Sequence, residues 1–153
     1  MFLIVIIASY FFMEFVDWFA HKYIMHGFGW FLHEDHHSED PQGTESFFEK
    51  NDAFFVIFAV PAMLFFIFGS FYSVPLFLAA GIGITLYGAT YFLIHDVFFH
   101  QRIKLFSFKG NAYFRALRRA HGMHHVHYTR EEGECFGLLV FPVRYLKMEL
   151  KNR

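Results

Sequence analysis

The sequence predicts an all-α, polytopic membrane bundle of three to four transmembrane helices with a cytoplasmic, histidine-rich helical cap. Three observations predict it. Residues 53–94 run for 42 positions without Asp, Glu, Lys, Arg or His. All 13 Lys and Arg lie at residue 22 or later, and none lies inside that run. Ten of the 11 histidines fall into four tight groups, all outside it. The 153 residues read as a single membrane-embedded domain, 1–153.

Residues 1–20 form the first expected span. Glu14 and Asp17 weaken its hydropathy near the end. No Lys or Arg precedes Lys22, so the basic start of a signal peptide is missing and the segment reads as a retained helix. One helix crosses a bilayer with about 20 apolar residues, so the run 53–94 reads as two spans. Gly69, Ser70, Phe71, Tyr72 and Ser73 suit the turn between them, and Pro75 suits the first turn of the next helix. Asp52, with Asn51, is expected to cap the second span, and Pro61 to bend it. Ala79, Ala80, Gly81, Gly83, Gly88 and Ala89 in the third span allow close helix packing. A soluble chain of this length does not bury 42 apolar positions on all sides. A last apolar run, 135–143, is too short to span and reads as interfacial or re-entrant.

Three spans place residues 21–52 and 95–153 on one side of the membrane. Every Lys and Arg is then on that side, which the positive-inside rule makes the cytoplasm. A fourth span at 135–143 would carry Arg144, Lys147, Lys151 and Arg153 across, against the rule. Trp18, Tyr23, Trp30 and Tyr91 sit near span ends, where amphipathic rings favour the headgroup layer. Net charge is −1, so no basic field awaits a nucleic acid. A mean hydropathy of +0.32 excludes a disordered chain. The single Cys135 forms no internal disulfide and fits a reducing compartment.

The histidine groups repeat. His21 and His26 bracket four residues, as do His95 and His100. His33, His36 and His37 form H-x2-H-H, as do His121, His124 and His125. Positions i, i+3 and i+4 share a helix face, so each triplet is expected to present three imidazoles to one point. Five steps on a regular helix turn about 140°. His21 and His26, and likewise His95 and His100, therefore need the helix to end between them or else serve different ions. The three-span topology brings all four groups to one face. Ten imidazoles exceed one structural zinc site and suit two ions with about five ligands each, with positions open for oxygen or water. Ligand type alone leaves Zn, Cu, Fe and Ni open.

Metal-bound imidazoles usually donate their second N–H to a carboxylate or carbonyl. Glu14, Asp17 and Asp96 are candidates for that support, and Glu34 and Asp35 lie within the second group. His127 is off the face set by His121 and His125 and reads as a supporting or exposed residue.

These residues resemble the fatty acid hydroxylase superfamily of integral-membrane di-iron enzymes, and within it the bacterial beta-carotene hydroxylase group. The matching stretches begin at His21 (HKYIMHG), His33 (HEDHH), Phe48 (FEKNDAFFVIFA), His95 (HDVFFHQR) and Arg118 (RRAHGMHHVHYTREEGECFGLLVFP). The resemblance implies that His21, His26, His33, His36, His37, His95, His100, His121, His124 and His125 bind two iron ions. It implies O2-dependent hydroxylation at C3 of the β-ionone ring, converting β-carotene to zeaxanthin, in the bacterial inner membrane. It also implies a separate ferredoxin-type reductant, since 153 residues leave no room for a fused one. Arg115, Arg118 and Arg119 at helical spacing are placed to meet an acidic partner or lipid headgroups. Phe54, Phe55, Phe58, Phe65, Phe66 and Phe68 face lipid or line a substrate route. A superfamily hydroxylase or desaturase of acyl chains or sterols is the alternative. A metal transporter fits less well, because transporters bind near the midplane and these spans carry no His there.

Overall fold

The computed structural model describes residues 1–37, 48–104, 110–127, 129–131 and 133–151. Among these every regular element is helical. Helix α1 (Phe2–Ala20) runs on into a π-helical stretch, His21–Phe28. A short α2 (Trp30–His33) and a 3₁₀ turn (Asp35–His37) follow. Helices α3 (Asp52–Phe71) and α4 (Pro75–Tyr91) form the hairpin, and α4 runs on into a second π-helical stretch, Phe92–Phe99. Helices α5 (Ala112–His125) and α6 (Val143–Lys151) complete the chain.

Among the described residues, three helices are long and apolar enough to cross a membrane: Phe2–Phe28, Asp52–Phe71 and Pro75–Phe99. The expected all-α membrane bundle is the fold, with three such helices. Residues 135–142 of the last apolar run are irregular backbone, not a fourth crossing. Pro75 opens α4, as expected, and α3 continues through Pro61.

Helix α4 packs on both α1 and α3. Gly83 lets α1 and α4 meet backbone to backbone. A Cβ there would collide with Ser9 Oγ and lie 2.5 Å from the Ile6 carbonyl oxygen. Tyr10 adds a polar tie by donating to Thr90 Oγ1 at 3.1 Å. The outer faces stay apolar: Ile4 is 68% exposed and Phe11 64%, whereas Ala79 between the helices is fully buried. Apolar outside and small inside is the pattern of a bundle solvated by lipid.

Two expectations need correction here. Asn51 occupies the cap position of α3 but does not cap it with its side chain. Its Oδ1 accepts instead from His33 Nδ1 at 2.7 Å, a partner 18 residues away that sequence spacing does not reveal. Arg115 and Arg119 are not both left for a partner. They donate to Glu149 of α6 at 3.0 and 2.7 Å and fasten α6 along α5. Arg118 lies over the Phe98 ring, 5.9 Å from its centroid.

Candidate metal centre

The two H-x4-H segments solve their geometric problem by a route that the regular helix hides. Each lies in a π-helical stretch or at its end, where i→i+5 hydrogen bonds widen the turn and stack residues five apart. His100 N–H donates to the His95 carbonyl at 3.0 Å, and in the first stretch the helical conformation holds through His26 and breaks only at Gly27 (φ −107°, ψ −122°). His21 and His26 thus point the same way, with ring centroids 5.3 Å apart. His95 and His100 do so at 4.6 Å. Neither a helix break between the pair nor a split between ions is needed.

The imidazoles form two nests. His21, His26, His33, His37 and His124 bring one nitrogen each within 4.8 Å of one another, and all five are buried. His36, His95, His100 and His121 do the same in a second nest. His125 lies against the second nest, its ring 4.5 Å from His121 and 4.8 Å from both His36 and His100. Its Nε2 is buried with no hydrogen-bond partner. The expectation that each H-x2-H-H triplet serves one point is therefore wrong. In each, the i and i+4 members stay together while the i+3 member crosses over. His36 leaves His33 and His37 for the second nest, and His124 leaves His121 for the first. The reason is direction: i+3 and i+4 diverge by one residue's rotation, about 100°, enough to face different centres.

The second ring nitrogens explain the orientation. His21, His26, His37 and His124 each donate Nδ1–H to a backbone carbonyl: Phe136 at 2.9 Å, Arg130 at 3.2 Å, His127 at 3.1 Å and Glu134 at 2.8 Å. A carbonyl only accepts, so the proton of each neutral ring sits on Nδ1 and Nε2 is left with a lone pair. Nε2 of His26 nevertheless lies 3.2 Å from Nε2 of His124. Two lone pairs at that distance repel, and neither ring has a proton to place between them. A cation between them removes the conflict. The donor set therefore suits a metal, on the geometry of this chain alone.

Burial keeps these rings neutral. It lowers His33 and His100 to about 3, His37 to about 4 and His124 to about 2, and holds His36 and His121 well below the ordinary range. Neighbouring imidazoles push in the same direction for His36, His121 and His124. Neutral imidazole is the metal-binding form.

The expected supporting residues divide. Asp96 approaches His95 Nδ1 at 3.6 Å, too long for a hydrogen bond, and accepts from Arg102 at 2.7 Å. Glu14 and Asp17 do not touch an imidazole by hydrogen bond; both accept from Tyr87 Oη, at 2.9 and 3.1 Å. His127 contributes its carbonyl, not its ring. Sequence reasoning missed Glu49, which lies 2.8 Å from His36 Nδ1, and Asn51 on His33. Both sit just before the second span, where a charged or amide residue reads as a cap. The four carbonyl acceptors have no residue signature at all.

A cavity of about 750 Å³ opens among α1, α3 and α4. Met13, Phe54, Phe58, Phe66, Ile84 and Tyr87 give it apolar walls. Asn51 and Tyr91 also line it. Asn51 holds His33 of the first nest, and the Tyr91 ring stacks on His95 of the second at 4.6 Å. The cavity thus reaches the side chains that touch both nests.

Membrane-crossing helices joined to two nests of imidazole nitrogens define a class, the multi-helix membrane protein with a histidine-rich site suited to metal. The chain belongs to the fatty acid hydroxylase family, whose model matches residues 6–143. It is 37% identical over 151 residues to the beta-carotene hydroxylase of Paracoccus sp. (strain PC1), covering 97% of this chain and 90% of that protein. It is 39% identical over 142 residues to the beta-carotene hydroxylase of Pantoea ananas, covering 92% and 78%. With the beta-carotene hydroxylase of Pseudescherichia vulneris it shares 38% over 136 residues, covering 89% and 74%. No solved structure matches. Family and relatives agree on a hydroxylase.

Proposed function

We propose that the chain is a beta-carotene 3-hydroxylase, converting β-carotene through β-cryptoxanthin to zeaxanthin. In this reading the ten histidines of the four groups hold two iron ions on the cytoplasmic side of the membrane. The observation that carries it is the apolar cavity ending against Asn51 and Tyr91, which touch the two nests. Its volume falls within the range of about 300–1,000 Å³ typical of sites for organic ligands. Its walls are mostly apolar and suit a hydrocarbon dissolved in the bilayer, with Asp17, Asn51, Asp52, Thr85, Asp96 and Arg102 as polar side chains along it. The relatives' names supply the substrate.

The residues divide the labour. Phe54, Phe58 and Phe66 of α3 and Ile84 of α4 bind the hydrocarbon and fix its approach. Burial of the first nest excludes water from the reacting ring. The carbonyls of His127, Arg130, Glu134 and Phe136 hold protons on four Nδ1 atoms, keeping four Nε2 atoms basic toward the centre. Iron bound there supplies the activation of O2 that insertion into an unactivated C–H bond requires. Per ring, one C–H, one O2, two electrons and two protons give one C–OH and one water. The two electrons come from an external ferredoxin-type donor.

The test is product analysis in a bacterial host that makes β-carotene. Expression of this chain is expected to yield zeaxanthin. Iron-loaded chain with no zeaxanthin refutes the reading, and hydroxylated acyl chains in the same membranes would reassign the substrate.

A further inference from the structure

A carboxylate inside a membrane-spanning helix is costly and needs a reason. Glu14 is 8% exposed in α1, seven residues before the first histidine. Its Oε1 accepts from both Leu139 N–H and Val140 N–H at 2.8 Å. Its Oε2 accepts from Tyr87 Oη of α4 at 2.9 Å. Residues 133–142 have no helical or strand pairing of their own. Irregular backbone against a membrane helix must have its N–H groups met by protein. Glu14 meets two of them with one oxygen. The same stretch is packed down by Leu138, which joins Met13 and Tyr87 in one buried cluster. Gly137 passes close enough that a Cβ there would sit 3.0 Å from Glu14 Oε1 and 2.8 Å from the Val140 carbonyl oxygen.

That stretch carries two of the four carbonyls that orient the first nest. Phe136 O accepts from His21 Nδ1 at 2.9 Å and Glu134 O from His124 Nδ1 at 2.8 Å. Of the second nest's described Nδ1 contacts, none is to this stretch: His36 is held by Glu49, and His95 faces Asp96. We propose that Glu14 is a positioning residue for the first nest, anchoring the 133–142 backbone so that the Phe136 and Glu134 carbonyls set the tautomer and direction of His21 and His124. The inference rests on the two-iron reading above and goes beyond it by making the two nests separable: one buried carboxylate supports two rings of the first nest and none of the second.

The test counts iron in purified full-length chain and resolves the two irons by Mössbauer spectroscopy. Wild type is expected to hold two irons per chain. Glu14→Leu removes the acceptor and is expected to lose about half the iron, with one spectral component lost and the other kept. Glu14→Gln keeps an oxygen for the two N–H groups and is expected to restore both. Both irons retained in folded Glu14→Leu with the wild-type spectrum, or both lost in equal proportion, overturns the proposal. Should Glu14→Leu fail to fold, replacing Val140 by its α-hydroxy acid decides the matter: it deletes one N–H without touching α1, and selective weakening of the same component is expected. An unchanged spectrum in that variant overturns the proposal. A wild-type chain that takes up no metal refutes the two-iron reading itself, before any variant is compared.

Discussion

Nε2 of His26 lies 3.2 Å from Nε2 of His124, although both rings spend their only proton on a backbone carbonyl at Nδ1. His26 belongs to the first H-x4-H group and His124 to the last H-x2-H-H group, 98 residues on. On the two-iron reading, a cation held between them would relieve the approach. His124→Ala is therefore expected to empty the first nest, although its motif partners His121 and His125 serve the second. Iron affinity should fall by more than the about 10–100-fold that loss of a merely supporting partner costs. Metal analysis of the purified variant checks this, and wild-type iron content would contradict it.

Glu49 supports His36 from outside, with its Oε2 2.8 Å from Nδ1. Glu49→Ala leaves all ten imidazoles in place but frees the His36 ring to turn. Iron affinity of the second nest is expected to drop about 10–100-fold. Titration of the metal-free variant with iron measures it, and an unaltered affinity would show that the carboxyl is dispensable.

The rings should also make the metal-free protein acid-sensitive. His33 and His100 lie at about 3, His37 at about 4 and His124 at about 2, all lowered by burial from an ordinary 6.5. Between those values and 6.5 the unfolded chain binds protons that the folded chain refuses. Stability is thus unaffected by these groups above 6.5 and falls as pH drops below it. Thermal unfolding of metal-free protein in detergent should show a flat midpoint above neutrality and a falling one on acidification. A midpoint that rises on acidification is incompatible with buried neutral imidazoles.

The cavity can be filled without touching a histidine. Gly88 lines it, and a Cβ there meets nothing within 4 Å. Gly88→Leu is expected to keep both irons and the fold while abolishing most hydroxylation. Full product formation by this variant would place the substrate elsewhere.

Gly83 offers the opposite case. A Cβ collides with Ser9 Oγ and approaches the Ile6 carbonyl oxygen at 2.5 Å, a backbone atom that does not step aside. Gly83→Ala should cost about 1–3 kcal/mol through overpacking of α1 on α4. A thermal midpoint equal to wild type would mean that the helices separate freely.

The three spans were legible because hydrocarbon thickness and charge exclusion act on composition, and residues 53–94 display both. The grouping of the histidines was legible because identity and spacing are sequence properties. The turn that makes spacing five useful was not, because nothing in His21-Lys-Tyr-Ile-Met-His26 distinguishes an i→i+5 bond from an i→i+4 bond. The crossing of His36 and His124 was hidden for a related reason: a face shared on an ideal helix is wide enough to look at two centres. The oxygens that orient the rings are mostly main-chain, and Asn51 and Glu49 resemble ordinary helix-start residues. Glu14 and Asp17 were noticed for their charge, but their partners Tyr87, Leu139 and Val140 lie 70 or more residues away.

The most direct measurement of the central claim supplies isotopically labelled O2 to reduced, iron-loaded chain with β-carotene and an electron donor. Both hydroxyl oxygens of the zeaxanthin formed are predicted to carry the label. Hydroxyls that take their oxygen from water, or iron-loaded chain that leaves β-carotene intact, would contradict it.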